Sequence, residues 1–101
     1  MKYVLFYESA PDVRAKTVAL FPEHRALWAE FGARGDLLMI GPFADPQAGA
    51  LAIFSSRRAA EAFVERDPFV RQGVVAAWRI QEWNEALVPD RPLGPAQHLT
   101  D

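Results

Sequence analysis

The chain has 101 residues, 50% hydrophobic and 24% charged, with a formal net charge of -2. This is the composition of one globular domain, and it excludes a disordered chain. There is no cysteine, which excludes disulfide frameworks, thiolate zinc sites, iron–sulfur clusters and cysteine nucleophiles. The acidic balance offers no basic stripe for phosphates, so no nucleic-acid partner is expected. No apolar run has the length of a membrane span and no basic-then-apolar leader opens the chain, so no membrane partner and a cytoplasmic location are expected.

Lys2 to Glu8 reads as a strand of β-branched and aromatic residues, with Val4 and Phe6 on one face and Tyr3, Leu5 and Tyr7 on the other. Asp12 is a candidate helix cap. Val13, Leu20, His24, Leu27, Trp28 and Phe31 then follow a helical period as far as Ala33 or Arg34, with Gly35 as the stop signal. Pro22 marks the weakest turn, near Phe21. Leu37 to Ile40 is a second strand closed by Gly41-Pro42. Asp45, Pro46, Gln47 and Gly49 make a turn, and Ala50 to Phe54 forms a hairpin with the second strand. Ser55 or Ser56 caps a helix that turns Ala59, Ala60, Phe63 and Val64 inward. Asp67-Pro68 starts a short third helix that ends at Gly73. Val74 to Trp83 is the last strand, with Val74, Ala76, Trp78 and Ile80 on one face. The tail carries Pro89, Pro92 and Pro95 without periodicity and reads as extended or mobile.

The order β-α-β-β-α-β predicts a ferredoxin-like α+β fold, in which two helices cover one face of a four-stranded antiparallel sheet. Strands apolar on both faces leave the other sheet face uncovered. A second copy packed sheet to sheet, a homodimer through this open face, is the expected partner.

Of the two histidines, His98 lies in the tail. His24 lies in the inward stripe of the first helix, either as a core histidine bonded to backbone or as a general acid/base. Asp67 is a helix cap by its position before Pro68. A carboxylate has acceptor capacity to spare, so one oxygen can cap while the other takes Nδ1–H of a histidine and fixes its tautomer. Gly41 and Pro42 either border a pocket or only make a turn, and Phe69 either walls a pocket or packs the short helix. Tyr3 and Tyr7 are phenolic donors or core residues. Arg25 and Arg71 are solvated or attract an anion. His24 and Asp67 are too few ligands for a closed zinc site. There is no phosphate-binding glycine loop, and Leu51-Ala52-Ile53-Phe54 lacks the basic–glycine–aromatic pattern of RNA-binding domains.

Glu23-His24-Arg25 with Leu27-Trp28, Gly41-Pro42-Phe43, Ala59-Ala60-Glu61-Ala62, and Asp67-Pro68-Phe69 followed by Gly73-Val74 appear in this order. Together they resemble the YCII-related domain family over about Met1 to Trp83. The resemblance implies a domain over 1–84 with a tail over 85–101, and a dimeric α+β barrel. It also implies a histidine–aspartate active site at His24 and Asp67, and lyase- or dehydrochlorinase-like chemistry on small cyclic compounds. Pro22, two residues before the histidine, departs from the family pattern. The expected function is a small enzyme without cofactor, in which His24 moves a proton on a small cyclic or aromatic substrate and Asp67 orients it. Gly41, Pro42, Phe43, Pro68 and Phe69 are the expected substrate-binding residues, and no metal is expected. A non-catalytic binding or stress-related module is the alternative, and a haem-ligating His24 a lesser one.

Overall fold

The computed structural model describes residues 1–89; His98, Pro92 and Pro95, and with them most of the predicted tail, lie outside the described residues. Strand β1 (Lys2–Ser9) leads into helix α1 (Arg14–Ala33), then β2 (Leu37–Pro42), a single 3-10 turn over Pro46–Ala48, β3 (Ala50–Phe54), α2 (Arg57–Arg66), α3 (Pro68–Arg71) and β4 (Val75–Trp83). The strands form one antiparallel sheet in the order β2-β3-β1-β4, as expected for a ferredoxin-like arrangement.

The implied barrel is not formed. β2 and β4 are the two edges of an open sheet and do not pair with each other. The physical reason is strand number: about eight strands are needed to close a filled barrel.

Helix α1 presents His24, Leu27 and Phe31 to the sheet and runs unbroken through Pro22. Its start differs from the expectation. Asp12 has φ 56°, a left-handed conformation aspartate tolerates, and Val13 occupies the cap position without a side-chain hydrogen bond. At the other end Gly35, with φ 80°, donates to Gly32, and Asp36 donates to Phe31. This pair of reverse hydrogen bonds closes the helix and requires the glycine. Ser56 caps α2 by accepting from the Ala59 amide, and Ala59, Ala60, Phe63 and Val64 are all buried.

The core lies between the helices and one face of the sheet. Leu5 and Tyr7 of β1, Ala52 and Phe54 of β3, Leu27 and Phe31 of α1, and Phe63 of α2 belong to it. Phe63 meets Phe31 edge-on and Phe54 at a tilt, each with centroids 5.3 Å apart. In β4 a register irregularity opposite Glu8 and Ser9 sets Val75, not Ala76, against Ser9. Val75 therefore joins Ile80 against the core while Ala76 is exposed. On the opposite sheet face the register aligns Val4 and Phe6 with Ile53 and Leu51, and Ile53 with Met39. Among the described residues no helix covers this face. Met39 is 66% exposed, and Arg79 stacks its guanidinium over Phe6. After β4, Glu85 forms ion pairs with Lys2 and with the Met1 amino group.

Candidate active site

Asp67 ends one helix and begins the next. Its amide donates to the Phe63 carbonyl, closing α2, and its own carbonyl accepts from Val70 and Arg71, opening α3. Pro68 sets the first residue of α3 at a favourable φ and is buried. With its backbone so committed, the fully buried carboxylate is held in one place. It accepts three hydrogen bonds. Oδ1 takes the Phe69 amide at 3.0 Å and His24 Nδ1 at 2.9 Å, and Oδ2 takes the Tyr7 hydroxyl at 2.6 Å. These two oxygens satisfy a helix start, an imidazole and a phenol at once.

Three donors around one carboxylate define the tautomer of His24. Nδ1 carries the proton that Asp67 accepts, so in the neutral ring Nε2 holds the lone pair. The ring stacks on Phe69, with centroids 3.9 Å apart and planes inclined by 13°, and meets Phe63 edge-on. Together the Asp67 bond and the Phe69 stack fix both the direction and the plane of the imidazole. Tyr7 is held neutral. Burial, then the negative charge of Asp67 and the hydrogen bond to it, push its phenol far above the usual tyrosine range. It is a permanent donor to Asp67.

A cavity of about 460 Å³ opens beside His24. Helix α1 contributes Thr17, Phe21, His24 and Trp28 along one stripe, β1 contributes Leu5 and Tyr7, and the β2 end contributes Ile40, Gly41 and Pro42. Phe69 closes it from α3. A second cavity of about 560 Å³ adjoins it across Tyr7, Thr17, Pro42 and Phe69, and is more polar, with Ser9, Arg14, Asp45 and Gln47 in its wall.

His24, Asp67 and Phe69 are thus brought together, and Gly41 and Pro42 line the cavity beside them. Phe43 is exposed and Pro68 is buried within α3, and neither lines the cavity. Arg25 and Arg71 are exposed and also lie outside the lining. Tyr7, left open between donor and core residue by sequence, is both buried and the third partner of the pair. Thr17 and Phe21 were not singled out, although each lies on the His24 face at helical spacing. Among the described residues no group of three or more His, Cys, Asp and Glu side chains converges on a point.

The sequence pattern of the YCII-related domain matches residues 1–84. The chain belongs to the YCII-related domain family. Among solved structures, this YCII-related chain is similar to the 5-chloro-2-hydroxyhydroquinone dehydrochlorinase TftG of Burkholderia phenoliruptrix AC1100, seen in complex with 2,5-dihydroxybenzoquinone. The TM-score is 0.71 at 22% identity, over 85% of this chain and 96% of that one. At that identity the likeness establishes a common fold. No curated protein matches the chain in sequence. Among the described residues no helix is long and apolar enough to cross a membrane.

Proposed function

We propose that this YCII-related chain is an enzyme that works without a cofactor and uses the His24–Asp67 pair to move a proton on a small cyclic or aromatic substrate. The reaction type is an elimination, an isomerisation or a hydrolysis. The observation that carries this reading is the cavity of about 460 Å³ beside an imidazole whose Nδ1 is already committed to Asp67. Nε2 takes a proton from the substrate, or from the attacking water in a hydrolysis, Asp67 stabilises the imidazolium that results, and the same nitrogen returns the proton to the product or the leaving group. Gly41 and Pro42 border the substrate, and Phe69 keeps the imidazole plane fixed. The dehydrochlorinase of similar fold, with its bound benzoquinone, supports an aromatic or quinoid ring as the substrate class. A purely structural His–Asp pair, as a non-catalytic module would have, gives no reason for an open space beside the ring.

The test is a screen of small cyclic lactones and halogenated phenols against the wild-type protein and His24→Ala. Turnover of one compound that His24→Ala loses supports the reading. Turnover that is equal in both proteins overturns it.

A homodimer through the uncovered sheet face belongs to the same proposal. Half-buried Phe6, Leu51 and Ile53 and exposed Met39 share that face around buried Val4, and an apolar surface of this kind is stabilised by a second copy. So does a cytoplasmic location.

A further inference from the structure

We infer that the cavity selects an uncharged ring bearing a hydrogen-bond donor, a hydroxyl or amino substituent, and that Tyr7 and Thr17 are the residues that read it. The inference rests on the cavity being the substrate site, and it follows from where the side-chain protons of Tyr7, Thr17 and His24 already go.

Four lining side chains carry polar atoms: Tyr7, Thr17, His24 and Trp28. The single proton of the Tyr7 hydroxyl goes to Asp67 Oδ2 at 2.6 Å. That of Thr17 goes to the Val13 carbonyl, one turn back, at 2.8 Å. The Nδ1 proton of neutral His24 goes to Asp67 Oδ1 at 2.9 Å. These three groups therefore have only acceptor capacity left for a ligand: lone pairs on two oxygens and on Nε2. Among the described residues the Trp28 indole N–H is the side-chain donor in the lining that has no protein partner. Among the described residues no Lys, Arg, Asp or Glu lines this cavity.

The commitments are hard to reverse. Turning the Tyr7 hydroxyl toward a ligand would strip Oδ2 of a buried carboxylate of its donor. Ionising Tyr7 is opposed by burial and by the charge of Asp67. A ligand anion would lose its water and meet three acceptors against the single Trp28 N–H donor, which is unfavourable. A methyl ether would leave the acceptors of the wall unpaired. A ligand O–H or N–H satisfies one of them, and sites that hydrogen-bond a substrate reject the analogue lacking the group.

The experiment compares 2-naphthol, 2-methoxynaphthalene and 2-naphthoate by NMR titration of the wild-type protein at about pH 8, where 2-naphthol is uncharged and 2-naphthoate is an anion. The expected result is that 2-naphthol shifts the His24 and Phe69 signals and binds at least about tenfold tighter than its methyl ether. 2-Naphthoate should leave those signals unmoved. Thr17→Val and Tyr7→Phe should each shrink the naphthol-to-ether ratio. Thr17→Val keeps the test open if Tyr7→Phe does not fold. Equal binding of the ether, naphthoate shifts at His24 and Phe69, a ratio unchanged in the variants, or no shift with any of the three overturns the inference. Because the readout is binding, absence of turnover with every substrate would sink the proposed reaction and leave this ratio standing.

Discussion

The hydroxyl of Tyr7 donates to Oδ2 of Asp67 across 60 positions of sequence, tying a central strand to the junction of α2 and α3. The same carboxylate holds His24 by its other oxygen. Positioning of the imidazole is therefore shared between the sheet and the helix junction, and each partner can be removed separately.

Asp67→Ala leaves a phenol, an amide and an imidazole without their common acceptor. A loss of about 3–5 kcal/mol in chemical denaturation is expected, as for other broken buried pairs. Asp67→Asn retains a capping oxygen and costs less, about 1–2 kcal/mol. It no longer imposes a proton on Nδ1, so the imidazole nitrogen-15 shifts should change. Unchanged shifts would reduce Asp67 to a helix cap.

His24→Gln keeps a donor within reach of Asp67 and removes the group that accepts and returns a proton. Once a substrate is in hand, turnover should fall about 10²–10⁴-fold with little change in thermal midpoint. Activity retained in the glutamine variant would place the proton transfer elsewhere.

The pH dependence of stability has two limbs of opposite sign. Lys2, and then a backbone amide, hold the Glu85 carboxyl at about 2 against an ordinary 4.5. The unfolded chain binds more protons in that interval, so stability falls as the pH drops through it. Glu85→Gln should flatten this acid limb. Tyr7 is shifted upward by burial and by Asp67, so the folded chain holds its proton above an ordinary value of 10.0 while the unfolded chain releases it. Stability is complete below that value and falls as the pH rises beyond it. Tyr7→Phe should remove this alkaline contribution. Denaturation midpoints across pH, in each variant, measure both limbs.

Gly49 has φ 121°, and a Cβ there would run into the carbonyl of Tyr7. Gly49→Ala combines a strained backbone with displacement of the strand that carries Tyr7. A loss of about 2 kcal/mol or more is expected, read by urea denaturation.

Sedimentation at micromolar concentration should give twice the 11.3 kDa chain mass. Met39, on the uncovered face, is exposed enough to accept a charge in a single subunit. Met39→Glu should shift the mass toward one chain without lowering the stability of the fold. A wild-type monomer would leave the outer sheet face without a partner.

Local chemistry determined much of this protein. Ser56 before Ala59, Asp67 before Pro68 and Gly35 after the first helix set element ends through bonds that span only a few residues, and the inward stripes of α1 and α2 follow from period alone. The order of strands and the Asp67 cap were legible for the same reason. The start of α1 was not, because Asp12 adopts a left-handed turn while Val13 takes the cap position. The openness of the sheet was not, because closure depends on whether two edge strands meet, and no pattern within a strand reports that. Nor was the choice between Tyr3 and Tyr7. Both alternate to the same face of β1, but only Tyr7 comes within 2.6 Å of Asp67. That distance is set by how the α2–α3 junction seats against β1, so the third partner of the site, and with it the loss of the Tyr7 proton as a donor to the cavity, was decided by tertiary packing.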